Sequence, residues 1–323
     1  MNAARIALRK TWAPALLLII LLLLAALPYI RPGYTVVLVY TILMYIILTM
    51  SWVIFSAPTG YLSLAPAAFF GVGIYTSAVL GMALPLPAVI CIGGLASSCL
   101  ALLVGALTLR LKGIYFAIFT FGLVELIKHF VLWYELKFTG TRGRFLIPVD
   151  NDTIYYVMLA ILVALLLTTY FIRRSKYGLA LQSIGQDEEA AAHIGINVTL
   201  LKVITFAISA VFMGAAGAIW AIRLTYIDPY IAFDPLNSFM PVLMAIFGGL
   251  GQLYGPILGA TVFSYLREIL ITKFPYYYML LIGIILVVSV LYLPNGLVGL
   301  LQRLWKLIQQ LRKRKPGGHH ANP

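Results

Sequence analysis

The sequence predicts an all-α polytopic membrane protein, and three observations carry that prediction. Of 323 residues, 62% are hydrophobic and only 10% charged, where soluble domains carry about 25% charged residues. Apolar runs long enough to cross a bilayer, about 20 residues each, recur along the whole length. Basic residues collect beside these runs, at Arg5, Arg9 and Lys10, at Arg173, Arg174, Lys176 and Lys202, and at Arg303, Lys306, Arg312, Lys313, Arg314 and Lys315. That distribution accounts for the formal charge of +13 as a positive-inside pattern with affinity for anionic headgroups, and so argues against nucleic-acid binding.

Candidate spans lie near residues 13–30, 34–56, 60–80, 86–109, 114–134, 153–172, 203–222, 238–253, 256–272 and 276–293. The first follows a basic segment without a small-residue cleavage signal, and reads as a retained anchor. About ten spans, with eight or nine as alternatives because the eighth and ninth are short, place both termini on one side. The basic termini make that side cytoplasmic. No stretch between spans is long enough for a soluble domain. Residues 1–323 therefore form one transmembrane unit, with a polar loop at 173–202 and a basic tail at 302–323. Cys91 and Cys99, eight residues apart on one helix, are about 12 Å apart along its axis, too far for a disulfide. They are expected as small core residues.

Two segments depart from lipid-facing composition: GYLSLAPAAFFGVGIYTSAV at 60–79 and FGGLGQLYGPILGA at 247–260. Glycine and proline at this density suit close helix packing or helices broken beside a protein-lined cavity. With one in each half of the chain, Ser63, Gly71, Gly73, Gly248, Gly249 and Gly251 become candidates for a translocation path. Glu125 is the carboxylate near the middle of a span, with Lys128 and His129 on the same helical face. It either faces the path or is held in an internal pair that locks helices together. Arg267 and Glu268 are expected at an interface, and Tyr276 to Tyr278 in an aromatic belt. Lys137, Arg142, Arg144, Asp150, Asp152, Asp228 and Asp234 are expected as exposed loop charge.

The polar loop is the most informative stretch. Ser183 and Gln186 have capping-box spacing. Asp187, Glu188 and Glu189 suit the positive end of a helix dipole, Ala190 to Ala192 favour helix, and Gly195 suits a left-handed stop. The predicted helix runs from about Ile184 to Ile194, roughly 16 Å long. On physical grounds alone it is as well explained as a solvated connector.

The run Glu189 to Gly195, EAAAHIG, resembles the EAA-x-x-x-G coupling loop of ABC importer permeases, with Asn197, Val198 and Thr199 where Leu-Pro is usual. From Gly60 to about Leu300 the chain resembles the LivM-type permeases of branched-chain amino-acid importers. GYLSLAPAAFFGVGIYTSAVL matches their G-x-L-S-L-G block, with Ala65 at a usual glycine. LRLKGIYFAIFTFGLVEL, the stretch from Gly178 to Ala221, FGGLGQLYGPILGA and LYLPNGLVGLL follow in order. Thr139, Gly140 and Thr141 stand where Thr-Gly-Gly is expected.

The resemblance implies one half of an importer's membrane core, seated in a bacterial or archaeal cytoplasmic membrane. Its partners would be a homologous permease, two ABC ATPase subunits and an extracytoplasmic solute-binding protein. Gln186, Asp187, Glu188, Glu189, Ala190, Ala191 and Gly195 would contact the ATPase. Branched-chain amino acids are the implied solutes, with urea or short amides, carried by related permeases, as the second choice. The chain has no P-loop and no Gly-Lys pair, so it lacks that cradle for nucleotide phosphates. No cofactor is expected in this chain, and ATP would be used by partner subunits. The four histidines form no zinc set, and an enzymatic role has no support. A free-standing ion-coupled transporter using Glu125, or a scaffold for membrane partners, is the rival reading.

Overall fold

The computed structural model describes residues 20–30, 33–146, 148–251, 254–292 and 296–299. The basic N-terminal cluster, the tail at 302–323 and the histidines His319 and His320 lie outside them. So do residues 13–19 of the first predicted span and part of LYLPNGLVGLL.

Each of the ten apolar segments meets a helix: α1 (Ile20–Ile30), α2 (Tyr34–Thr59), α3 (Pro66–Leu80), α4 (Leu86–Thr108), α5 (Ile114–Tyr134), α6 (Asn151–Arg174), α9 (Val198–Ala221), α11 (Leu236–Gly248), α12 (Tyr254–Lys273) and α13 (Tyr278–Tyr292). A π-helical turn, Glu135–Thr139, extends α5. Between the spans lie α7 (Lys176–Gln186), α8 (Glu188–His193) and the single turn α10 (Pro229–Ala232). Among the described residues, six helical stretches are long and apolar enough to cross a membrane: 34–59, 86–108, 114–139, 151–174, 198–221 and 229–248. The described residues are all-α apart from a two-residue antiparallel ladder the sequence did not announce. It pairs Arg144 with Ile227 and Phe145 with Tyr226, tying the α5–α6 loop to the α9–α10 loop.

Helix α2 is the hub, with 72% of its most apolar window buried inside the protein against 28% for the α5 stretch. It packs against α6, α7, α9, α11 and α12. Helices α3, α4 and α9 form the tightest cluster. There a Cβ on Gly73 would meet the Gly214 carbonyl oxygen at 2.0 Å, and one on Gly217 would meet the Phe70 carbonyl at 2.1 Å. Backbones this close gain dispersion and interhelical hydrogen bonds that large side chains would prevent. Ser77 Oγ donates to the Ala218 carbonyl (2.7 Å) and Ser97 Oγ to the Phe69 carbonyl (2.8 Å).

Both glycine-rich segments are broken helices. Gly60 takes a left-handed conformation and ends α2, its N–H donating to the Ser56 carbonyl. The next five residues are neither helix nor strand and are mostly buried until Pro66 opens α3. Buried non-helical backbone needs partners, and side chains supply them. Thr120 Oγ1 accepts from Leu64 N–H (2.9 Å), Ser238 Oγ from Ala67 N–H (3.0 Å), and the Trp52 indole donates to the Ser63 carbonyl (2.8 Å). In the second segment α11 stops at Gly248, earlier than the predicted 253. Gly249, at φ +100°, cannot continue the helix, and its N–H bonds back to the Ala245 carbonyl.

Three expectations need correction. Cys91 and Cys99 are exposed on α4 rather than in the core, because the small residues of α4 that face α9 are Gly93, Gly94 and Ser97. Asp152 sits in the first turn of α6, where the helix dipole favours it, rather than in a loop. The loop charges are not simply exposed: Asp228 is 6% accessible, pairs with Arg142, and caps α10 by accepting from Ile231 N–H (2.8 Å). The expected interfacial residue Glu268 accepts from the Tyr34 hydroxyl (3.0 Å).

Replacing Gly73 with leucine is expected to separate α3 from α9 and abolish a monodisperse peak on size-exclusion chromatography. Gly122→Ala, where an added Cβ meets nothing within 4 Å, is expected to keep that peak, with thermal stability unchanged or raised by up to about 1 kcal/mol.

Candidate functional site

The polar loop folds as two helices rather than one. Ser183 does not cap; its hydroxyl donates to the Leu179 carbonyl (3.1 Å) inside α7. Asp187 is extended and caps α8 instead, its Oδ1 accepting from Glu189 N–H (2.9 Å) and Ala190 N–H (3.1 Å). An aspartate one residue past the expected capping box supplies a charged acceptor directly at the helix dipole, which a serine hydroxyl cannot. The expected stop at Gly195 is present. Its φ is +88°, and the Ile196 N–H returns to the Ala191 carbonyl (3.2 Å), closing a Schellman-type end.

The faces of α7 and α8 divide cleanly. Leu181, Ile184, Ala191 and Val198 bury together in a small apolar cluster of their own. Gln186, Asp187, Glu189, Ala190 and Ala192 are exposed, and Ile194 is 73% accessible. This outer face is acidic and flat, with small side chains at its centre.

Glu188 turns inward and fastens the helix. Its Oε1 accepts from Lys202 Nζ (2.7 Å) and its Oε2 from the Tyr61 hydroxyl (2.7 Å). The Lys202 ammonium, on α9 and 1% accessible, also donates to the Tyr61 hydroxyl and to the Leu109 carbonyl at the end of α4, both at 3.1 Å. All three ammonium N–H groups are thereby used. The same cation lies 4.5 Å from the Tyr61 ring centroid. A buried charge is tolerable only with such a full set of partners. Burial raises the Glu188 pKa, but the hydrogen bonds from Lys202 and Tyr61, with the charges of Lys202 and Lys112, outweigh it and hold this carboxyl below its usual range. Outside this knot, Glu189 is 3.6 Å from Lys112 in an open surface pair.

Beneath α7, a cavity of ≈ 210 Å3 is lined by α7 and the ends of α2 and α6 and reaches Leu250 and Gly251 at the α11–α12 break. The second glycine-rich segment thus approaches α7.

The remaining sequence candidates scatter. Ser63 is 2% accessible in the non-helical segment before Pro66, its Oγ accepting from Ala65 N–H (3.3 Å). Gly71 lies against the Phe233 ring, Gly73 against Gly214, and Gly248 against the Gly255 carbonyl, so helix contacts within this chain fill the space beside all three. Gly249 and Gly251 form the break after α11. Glu125 pairs with Lys128 and lies 3.7 Å from His129 Nε2, all on α5. The expected internal pair is present within α5, and its Lys128 ammonium also lies 5.4 Å from the Tyr230 ring centroid on α10. Tyr61 and Lys202 were missed as site residues. The available signal was a lone lysine four residues into the apolar run of α9.

The chain matches the model of the family described as branched-chain amino acid transport system / permease component over residues 34–290. It belongs to that family. It is 28% identical over 327 residues to the high-affinity branched-chain amino acid transport system permease protein LivM of Escherichia coli (strain K12), covering 90% of this chain and 76% of that one. The LivM protein of Salmonella typhimurium is 27% identical over 325 residues with the same coverage. A shorter similarity, 28% over 164 residues, links 48% of this chain to 44% of the fructose import permease protein FrcC of Rhizobium meliloti. No solved structure matches.

The lowered Glu188 pKa fixes a sign. Its contribution is complete above the unfolded value near 4.5 and is lost as pH falls through the lower folded value. Amides of Glu189 to Gly195 are expected to lose hydrogen-exchange protection relative to α9 as pH is taken below about 4. Lys202→Met is expected to remove that protection already at pH 7, at a cost of up to about 3 kcal/mol.

Proposed function

We propose that this chain is a permease subunit of an ABC importer for branched-chain amino acids, pairing with a homologous permease to form the translocation path. The observation that carries this reading is α8: a capped, acid-then-alanine helix closed by left-handed Gly195, exposed on one face and fastened through Glu188 on the other. A solvated connector needs no buried lysine beneath it. Two ATPase subunits would each receive a coupling helix, one from each permease. Residues Gln186, Asp187, Glu189 and Ala190 would meet the motor, while Glu188 and Ala191 hold the helix to the spans.

In this reading ATP is bound and hydrolysed by the partner subunits. The chain crosses a bacterial or archaeal cytoplasmic membrane about ten times, with α7, α8 and both termini inside. An extracytoplasmic binding protein delivers solute to the opposite end, near the Arg142–Asp228 pair. Closure of the motor dimer moves α8, and the spans rock around α2 to alternate access. The solute assignment is supported by the family and by the two LivM relatives; the similarity to a fructose permease spans only part of the chain. An ion-coupled mechanism on Glu125 gains no support, since that carboxylate already has Lys128 and His129 beside it.

Glu189→Lys and Gly195→Pro are expected to lower ATP-driven leucine uptake at least tenfold in cells producing the whole transporter, with membrane levels of the chain unchanged. A P-loop ATPase is expected to co-purify with the unaltered chain and to be lost with either variant. Full uptake in both variants would remove the coupling role from α8.

A further inference from the structure

The cavity beneath α7 has a chemical character that the coupling role of α8 does not use. Part of its wall is apolar, with Ile54 from α2, Ile172 from α6 and Leu181 from α7. Its polar lining includes the side chains of Arg173 and Gln182, both exposed residues. Among the described residues neither side chain has a hydrogen bond, an ion pair or a ring contact. No carboxylate lines the cavity. The next arginine is placed differently: the Arg174 guanidinium stacks 4.5 Å from the Tyr170 ring centroid. Two neighbouring arginines thus end α6, one laid against its own helix and one with five N–H donors and no acceptor from the chain. The dipole at this end of α6 favours a cation, which accounts for the charge but leaves the donors unused. Water can meet them, yet it gains nothing from the apolar wall beside them.

We propose that this cavity is a binding site for a phosphate group with net negative charge. Two phosphate oxygens would accept from the Arg173 fork, the pairing for which a guanidinium is best shaped. A third would accept from the Gln182 amide. An anion meets no repulsion here, whereas a cation would face a guanidinium and find no carboxylate. The volume of ≈ 210 Å3 is below the range of about 300 Å3 upward typical of drug-sized ligands, and so suits a headgroup. Such a group could come from a glycerophospholipid or from free phosphate, and the surroundings favour the lipid. Leu167, Tyr170 and Phe171, on the turns of α6 that lead to Arg173, are exposed, as a surface against acyl chains is. Ile54, Ile172 and Leu181 offer the glycerol and the first methylenes an apolar seat. Basic clefts at the ends of spans are where anionic headgroups settle, and Arg174 and Lys176 add to the local potential. An occupant would touch α2, α6 and α7 at once, joining the hub helix to the element that leads into α8. The site rests on the membrane placement of the chain and not on the importer reading.

The test is native mass spectrometry of the delipidated full-length chain in detergent. It is titrated with phosphatidylglycerol, with phosphatidylcholine of the same acyl chains, and with inorganic phosphate. One phosphatidylglycerol per chain is expected to bind at least tenfold more tightly than phosphatidylcholine. Arg173→Gln, which removes the fork, and Ala57→Phe, which fills the cavity from α2 but keeps Arg173, are each expected to weaken phosphatidylglycerol at least tenfold. Arg173→Gln breaks no contact within the described residues, so lost binding there is not lost folding. Arg174→Gln, which removes the stacked neighbour, is expected to change binding less than twofold. Bound phosphatidylglycerol is also expected to raise the thermal unfolding midpoint of the unaltered chain and of Arg174→Gln, but not that of Arg173→Gln. Phosphatidylglycerol binding that survives both Arg173→Gln and Ala57→Phe would overturn the site and put the lipid elsewhere on the surface. Phosphatidylcholine binding as tightly as phosphatidylglycerol would overturn the requirement for net charge. Inorganic phosphate that binds saturably and is lost with Arg173→Gln, while neither lipid binds, would uphold the phosphate site and remove the lipid as its source. No binding of any of the three would sink the proposal and leave the importer reading untouched.

Discussion

Backbone-to-backbone contact through glycine is the constraint on which this molecule rests. With no water to drive apolar surfaces together, helices in lipid are held by close packing and by the hydrogen bonds that closeness allows. Gly73 on Gly214, Gly217 on Phe70 and Gly259 on the Met244 carbonyl bring pairs of helices to distances that a single added carbon would prohibit. The serine bonds from Ser77 and Ser97 to neighbouring carbonyls depend on that approach. So does the burial of α2, which can be central only because its neighbours crowd around it.

Charge is handled by full partnership at one end and partial partnership at the other. Around Lys202 every donor has an acceptor, and the carboxylate of Glu188 takes one bond on each oxygen. Around Glu135 the contacts are looser, with one oxygen fixed by the Gly143 N–H and the other facing the Arg144 guanidinium at 3.6 Å. The first arrangement suits a fastening. Between the two ends, the Glu125–Lys128 pair neutralises itself along one helix and touches α10 through the Tyr230 ring.

Much of this was legible in the sequence, because apolar runs of span length leave the chain few alternatives to helix. Among the described residues the apolar segments fall on helices, six of them long and apolar enough to cross a membrane, and glycine at 195 foretold a left-handed stop. What was not legible depends on contacts between distant segments. Nothing local distinguishes the Ser183 capping box from the Asp187 cap; the outcome turns on Glu188 being drawn inward by a lysine fourteen residues on, which leaves Asp187 at the helix start. Tyr61 and Lys202 became partners only when the α2–α3 segment folded under α8. Asp228 and Arg142 looked like loop charges because their pairing spans 86 residues. Glu135 passed unnoticed for a related reason: it lies past the apolar run of α5, and only the π-helical turn brings it back under the loop.

The knot around Lys202 has a mechanical consequence. It joins α8, α9, the end of α4 and the non-helical segment that leads straight into Pro66. Shearing α8 away from these elements would strand an ammonium in an apolar setting, which is far more costly than tilting a helix. A push on α8 is therefore borne by α3 as by a rod set in a rigid socket. Its 15 residues carry the displacement about 20 Å, and near its other end stands Tyr75. Motion imposed at one surface is thereby geared to the opposite one without any part of the chain having to unfold.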